Sequence, residues 1–293
     1  MFSHLKMDTG LRRNDIAYVE ISADLMVSLS NHEVAPQGHI PMPYPIAYQL
    51  YSSRNFPPLA GQLPILKAMG YDAIEPWLPA YEADPRLFRR QLDDAGLACY
   101  GFHMPLAGLV GEPNRFIDIA LTLGATVLIP PYVTPEERQP TPAYWCGLGE
   151  KLGRGAEAAK PHGLKVAWHN HDFEYYPLPD GSRPIDHIFE AGGPDVLFEI
   201  DCGWITRAGD DPAAELRRYA DRIIAIQLKD TAPLGTKVDD GWTATGDGVI
   251  NWPSLVPLFR QTKADHIVAE HDSPSDWQAF ARRSFDYMRK LGL

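Results

Sequence analysis

Eight times between residues 45 and 272, a short run of β-branched and aromatic residues is followed by a longer amphipathic one. No other feature of this 293-residue chain limits its fold as tightly. The short runs read IAYQLYSSR, MGYDAIEPW, AGLACYGFHM, LGATVLIPPYV, HGLKVAWHNH, GPDVLFEIDCGW, DRIIAIQLKD and ADHIVAEHD. They are continuously apolar rather than alternating, as strands buried on both faces must be. Between them lie helix-like stretches such as DPRLFRRQLDDA, EPNRFIDIALTL and DPAAELRRYA. Several of these open on Asp, Asn or Ser or carry Pro in the first turn. Gly70, Gly96, Gly124 and Gly163 stand where a left-handed cap ends a helix. Eight such units over residues 45–293 predict an α/β chain closed into a (β/α)8 TIM barrel. The rival is an open doubly wound sheet. Its nucleotide-binding version has no support, because the chain has no P-loop and no Gly-x-Gly-x-x-Gly after the first strand.

Residues 1–44 lack this rhythm and are expected to be a peripheral or partly disordered extension. The moderately apolar stretch Ile16 to Leu29 is interrupted by Glu20 and Asp24, so neither a signal peptide nor a membrane span is expected. Three cysteines without a C-x-x-C pattern fit a reducing cytoplasm. The formal net charge of −11 argues against nucleic acid, whose binding draws most of its affinity from Lys and Arg on phosphates, and against anionic membranes. A small-molecule partner is expected, with a homo-oligomer allowed.

In a barrel of this type chemistry sits at the C-terminal ends of the strands, and these ends are unusually polar. The first strand ends at Arg54 and the second at Glu75, with Trp77 after it. The third ends at His103. The fifth runs into His169, Asn170, His171 and Glu174, and the sixth ends at Asp201, followed by Trp204. The seventh carries Gln227, Lys229 and Asp230, and the eighth Glu270, His271 and Asp272. Neutral imidazoles mixed with carboxylates, and no cysteine, suit one divalent ion such as Mn, Co, Mg, Zn or Fe. Such an ion polarises a carbonyl or binds adjacent hydroxyls, while remaining acids or histidines move protons. No Gly-x-Ser-x-Gly elbow supports a serine hydrolase. His169 and His171 are two apart on an extended strand and therefore share a face. Trp77, Trp204 and Trp242 read equally as sugar-stacking platforms or core. Glu75 pairing with Arg54, and Lys229 with Asp230, are the bland alternatives for those residues. TGDGVINW reads as a turn and helix cap rather than a phosphate cradle.

The order of GYDAIEPW, HNHDFEY, DCGWITRAGDDP, QLKD, GDGVINW and AEHDSPSD along the strands resembles the xylose-isomerase-like TIM barrel superfamily. The likeness is to its sugar phosphate isomerase/epimerase group, which includes inosose dehydratases and ketose 3-epimerases, and it runs from about residue 46 to 291. It implies one metal held by strands five to eight, commonly through Glu, Asp, His and Glu. Asp201 and Glu270 match. Gln227 stands where the family usually has His, and His169 where epimerases have Glu, so the two-base epimerase mechanism does not carry over intact. The superfamily's apurinic endonucleases need further metal ligands and a DNA-binding surface, which the acidic balance of this chain fits poorly.

The leading expectation is therefore a metal-dependent sugar isomerase or epimerase that removes a proton α to the carbonyl of a ketose or keto-sugar. His169, Asp201, Gln227 and Glu270 hold the metal in this reading. His171, Glu174 and Glu270 are candidates for proton transfer. Arg54, Glu75, His103, Trp204 and Lys229 are expected to contact substrate. The second expectation is a lyase, either an inosose dehydratase or a 3-keto-glycoside β-eliminase, and the third a sugar-binding barrel without catalysis.

Overall fold

The computed structural model describes residues 43–293, so the extension expected over residues 1–44 lies almost wholly outside the described residues. The eight expected strands form one parallel sheet. They are β1 (Ile46–Gln49), β2 (Ala73–Glu75), β3 (Ala98–Cys99 and Gly101–His103, interrupted at Tyr100), β4 (Val127–Ile129), β5 (Lys165–His169), β6 (Val196–Asp201), β7 (Ile223–Gln227) and β8 (His266–Ala269). Each pairs with its sequence neighbour, and β8 returns to β1 with Ile46 opposite Ile267. The two halves of β3 pair with β2 and β4 respectively, and Tyr100 joins them, so the ring closes through that strand. This is the TIM barrel that the repeat predicted.

Local chemistry explains the connections. Asp84 accepts a hydrogen bond from the Leu87 N–H at 2.9 Å and starts the helix Pro85–Ala95, and Gly96 ends it at φ 68°. Asp211 and Asp276 cap the helices Pro212–Arg218 and Trp277–Lys290 in the same way. Strand side chains alternate between two surroundings. Ile46, Tyr48, Ile74, Phe102, Trp168, Phe198, Ile200 and Ile267 face outward into one large core under the helices. Inward, two small clusters fill the barrel: Ala47, Ala73 and Val268, and Val127, Ile129, Ala167 and Ile224. A bulge opposite Phe198 and Glu199 leaves Ile224 unpaired, which sets Ala225 beside Glu199 and Gln227 beside Asp201. Among the described residues no helix is long and apolar enough to cross a membrane.

Candidate active site

The strand alternation that packs Ala47 and Ala73 into the lower barrel places Gln49, Glu75, His103, His169, Glu199 and Gln227 in the tier above them. All six are buried. A buried polar group needs a partner, and these form a belt. Glu75 Oε1 accepts from Gln49 Nε2 at 2.7 Å and from Gln227 Nε2 at 3.3 Å, and lies 3.2 Å from His103 Nε2. Glu199 Oε2 lies 3.0 Å from the same His103 nitrogen and 3.4 Å from His169 Nδ1. Burial pulls the His103 pKa down, but the two carboxylates outweigh it and raise it to about 10. Burial alone would raise Glu199, yet its bond to His103 holds it low, while burial and repulsion from Glu199 push Glu75 up.

Above the belt opens a cavity of about 450 Å³, lined by Tyr51, Trp77, His103, Pro131, Tyr132, His169, His171, Trp204, Glu270 and Asp272. Its inner end is polar. One ligand atom each from His169, Asp201 and Glu270 lies within 4.8 Å of the others. Asp201 Oδ1 accepts from the Trp204 N–H at 3.0 Å, which leaves Oδ2 buried without a partner. Gln227 Oε1 and Glu270 Oε2 are likewise buried and unpartnered. Burial drives Asp201 well above the usual carboxylate range, only partly opposed by Lys229, and it raises Glu270 as well. Burial holds His169 down to about 3, so its imidazole is neutral. Three orphaned oxygens and a neutral imidazole are a donor set that suits a divalent cation. Of the four residues expected to hold one, His169, Asp201 and Glu270 lie together, and Gln227 stands beside Asp201 in the sheet.

His171 lines the same cavity. Its ring stacks on Phe173 at 20° and lies 5.0 Å from those of His169 and Trp204. Burial lowers its pKa well below that of free histidine, and its Nδ1 has no partner. Of the residues expected to contact substrate, His103 and Trp204 line the cavity, whereas Arg54, Glu75 and Lys229 support it from behind. Arg54 stacks over the Tyr51 ring at 3.7 Å and donates to the Tyr51 and Asp272 carbonyl oxygens. Lys229 is fully buried between the Trp204 and Trp242 rings, 4.5 and 4.4 Å from their centroids, and donates to Asp272 at 2.6 Å.

Several expectations are corrected by these contacts. Glu174 is not at the mouth. It is buried below the loop, where it accepts from Trp168 Nε1 at 3.0 Å and from the His171 N–H at 2.9 Å, so it braces His171. Burial raises its pKa to about 8 despite those bonds. Glu75 pairs with the belt and not with Arg54, and Lys229 pairs with Asp272 rather than Asp230. Asp230 instead accepts from Trp252 Nε1 and from the N–H groups of Gly246, Gly248 and Ile250. Three N–H groups of TGDGVINW are therefore taken by a carboxylate, as in a turn rather than a phosphate cradle, while Asn251 makes no side-chain cap bond to the helix Trp252–Phe259. Trp242 is buried behind Trp204 and offers no stacking face to the cavity.

Gln49, Glu199 and Tyr132 carry parts of this site that the sequence reading did not name. For Glu199 the signal was present: it precedes Asp201 by two residues on a strand and so shares its face.

A family model described as Xylose isomerase-like TIM barrel matches residues 63–291. An inosose dehydratase of Geobacillus kaustophilus is 29% identical over 158 residues, which cover 48% of this chain and 49% of that protein. The chain spans no more than about half the length of the curated relatives it matches. Among solved structures, a sugar phosphate isomerase/epimerase of Parabacteroides distasonis superposes with a TM-score of 0.72 at 18% identity, covering 84% of this chain and 95% of that one. A xylose isomerase-like TIM barrel protein of Mycobacterium smegmatis in complex with magnesium gives 0.65 at 18%, covering 85% and 96%.

Proposed function

The chain belongs to the xylose isomerase-like TIM barrel family, and from that premise we propose that it removes a proton α to the carbonyl of a keto-sugar or keto-inositol with the help of one divalent metal. The observation that carries this reading is the set of unpartnered buried oxygens on Asp201, Gln227 and Glu270 with neutral His169, next to a cavity lined by His169, Glu270 and His171. Those four side chains would hold the ion. When bound, it supplies positive charge beside the carbonyl oxygen, which gains negative charge as the α-proton leaves. His171 takes that proton. Its imidazole is kept neutral by burial, and Glu174 fixes its backbone. Tyr51, Trp77, Tyr132 and Trp204 wall the cavity and suit the C–H faces of a ring.

Loss of a β-hydroxyl after that step, departing as water with the proton that His171 took, is a dehydration and the outcome we favour. Exchange of protons between two faces wants two free bases. Here the fifth strand offers His169 instead of a carboxylate, and Asp272 is held by Lys229. The similarity to an inosose dehydratase over half its length supports the same choice. Isomerisation or epimerisation is the second reading, because Glu270 lines the cavity with His171 and is placed to return a proton.

The test is incubation with ketoses, inososes and 3-keto-glycosides in deuterated water with added Mn, Co or Mg, followed by NMR. Metal-dependent deuterium at the α-carbon, or a metal-dependent dehydrated product that has lost the α-proton, supports the reading, and the product separates lyase from isomerase. Neither exchange nor elimination with any of these compounds overturns it, and metal-dependent sugar binding without either would mark a non-catalytic barrel.

A further inference from the structure

The belt below the candidate metal ligands contains an arrangement that the proposed chemistry does not use. Glutamine is a poor substitute for imidazole on a metal because its amide has two ends. Only the oxygen is a donor to the ion, and free rotation about the last side-chain bond presents the NH2 group equally well. Gln227 has a buried partner that breaks this symmetry. Glu75 Oε1 receives the Gln227 Nε2 at 3.3 Å, and the same oxygen receives Gln49 Nε2 at 2.7 Å. An oxygen that collects N–H donors is an acceptor, so it fixes the NH2 end of Gln227 toward β2 and leaves Oε1 free. That Oε1 is the atom left buried without a partner. Gln227 also stands directly beside Asp201 in the sheet, so the freed oxygen belongs to the side chain neighbouring a second candidate ligand. Glu75 is itself held from another side, by the Gln49 amide, whose Oε1 is tied to the Tyr51 N–H at 3.1 Å. Glu199 also lies near His169, 3.4 Å from Nδ1, without a hydrogen bond between them.

We propose that Glu75 is a positioning residue that makes Gln227 a competent metal ligand by locking its amide with the oxygen outward. The inference rests on the metal reading given above. It explains how this chain accommodates glutamine at a ligand position: the orientation that an imidazole has by its ring is imposed on the amide by a buried carboxylate 152 residues away in sequence.

The experiment is an isosteric swap read by calorimetric titration of the metal-free chain with Mn2+, with thermal melts to confirm folding. The variants are E75Q, Q227E and the double variant. E75Q keeps an oxygen that accepts from Gln227, so it is expected to weaken Mn2+ binding by no more than about threefold, well below the roughly 10–100-fold range of lost outer-shell partners. Q227E sets two carboxylates against each other in the belt. Adding E75Q to it restores a donor–acceptor pair with the direction reversed, and is expected to tighten Mn2+ binding at least about tenfold over Q227E alone. The sign of the E75Q effect thus depends on residue 227. The same effect of E75Q in both backgrounds overturns the proposal, because a merely structural Glu75 would act without regard to the amide. Absence of Mn2+ binding in the unaltered chain, seen before any variant is compared, overturns the metal reading and this inference with it.

Discussion

The lower and upper halves of the barrel interior are built from the same strands and yet from opposite chemistry. Below, Ala47, Ala73, Ala167, Val127 and Val268 fill the space with small apolar groups that need nothing from one another except fit. Two or three residues further along the same strands, Gln49, Glu75, His169, Gln227 and Glu270 are also buried and are polar or ionisable. Desolvating such groups costs free energy that only good partners recover. The lower tier stabilises the ring. The upper tier draws on that stability to hold orphaned oxygens in place. Substitutions should therefore separate cleanly into those that change folding and those that change chemistry.

The largest expected effect is at the cavity wall. His171→Ala removes the proposed proton acceptor and should lower turnover about a hundredfold to ten-thousandfold, the usual contribution of a general base. Metal content should stay near that of the unaltered protein, since His169 and not His171 belongs to the ligand cluster. Turnover on the keto-sugar found by the NMR screen, with metal analysis alongside, checks this. Loss of metal would mean that the two histidines have exchanged roles, and undiminished turnover would assign the proton to Glu270.

The converse substitution lies below. Val127→Ala removes two methyl groups from the closed lower tier and should cost about 1.5–3 kcal/mol of stability by denaturant unfolding. Mn2+ affinity in the folded protein should not move. A shift in metal affinity as large as the shift in stability would show that the two tiers are one mechanical unit, and the contrast drawn here would fail.

Asp201→Asn is smaller again in free energy but sharper in location. It keeps the shape, keeps an oxygen to cap Trp204, and removes the charge. Metal affinity should fall about tenfold or more, the scale on which even supporting residues act. The metal-free protein should be no less stable, because burial already disfavours the Asp201 charge. Full metal content and full activity in the variant would make Asp201 a helix cap and nothing else.

The contrast between tiers also marks how far the sequence could be read. The ring was legible because each strand announces itself as an apolar run bounded by glycine and helix signals, and its closure follows from counting to eight. The ligand cluster was legible because His169, Asp201 and Glu270 end such runs, where a barrel opens. Gln227 was legible only through resemblance, as a departure from imidazole. The belt was not. Gln49 lies in the first strand among residues that read as core, and the pairings of Glu75 with Gln227, Lys229 with Asp272 and His103 with Glu199 join residues 152, 43 and 96 positions apart. Periodicity places a side chain on a face, but which partner meets it across a closed ring depends on register, and register came only with the structure. Glu174 failed for a related reason. Nothing in HNHDFEY tells that the chain turns back so that Glu174 points under the strand end and not over it.

Gln227→His carries the smallest expected effect and tests the upper tier from the ligand side. Imidazole is a better donor than a carboxamide to borderline ions such as Zn and Co, so affinity for these should rise, while affinity for Mg, which favours oxygen, should rise less or fall. The second ring nitrogen of the new side chain can still donate to Glu75, so the belt need not break. The balance is therefore between a stronger donor atom and a ring that must fit where a slimmer amide stood beside Asp201. Titrating both proteins with Zn2+ and with Mg2+ separates the terms: a gain for Zn2+ alone reports the donor, whereas equal losses for both report the fit. Unchanged affinity for both ions would mean that residue 227 does not face the metal, and its unpartnered oxygen would then be free to meet a substrate hydroxyl.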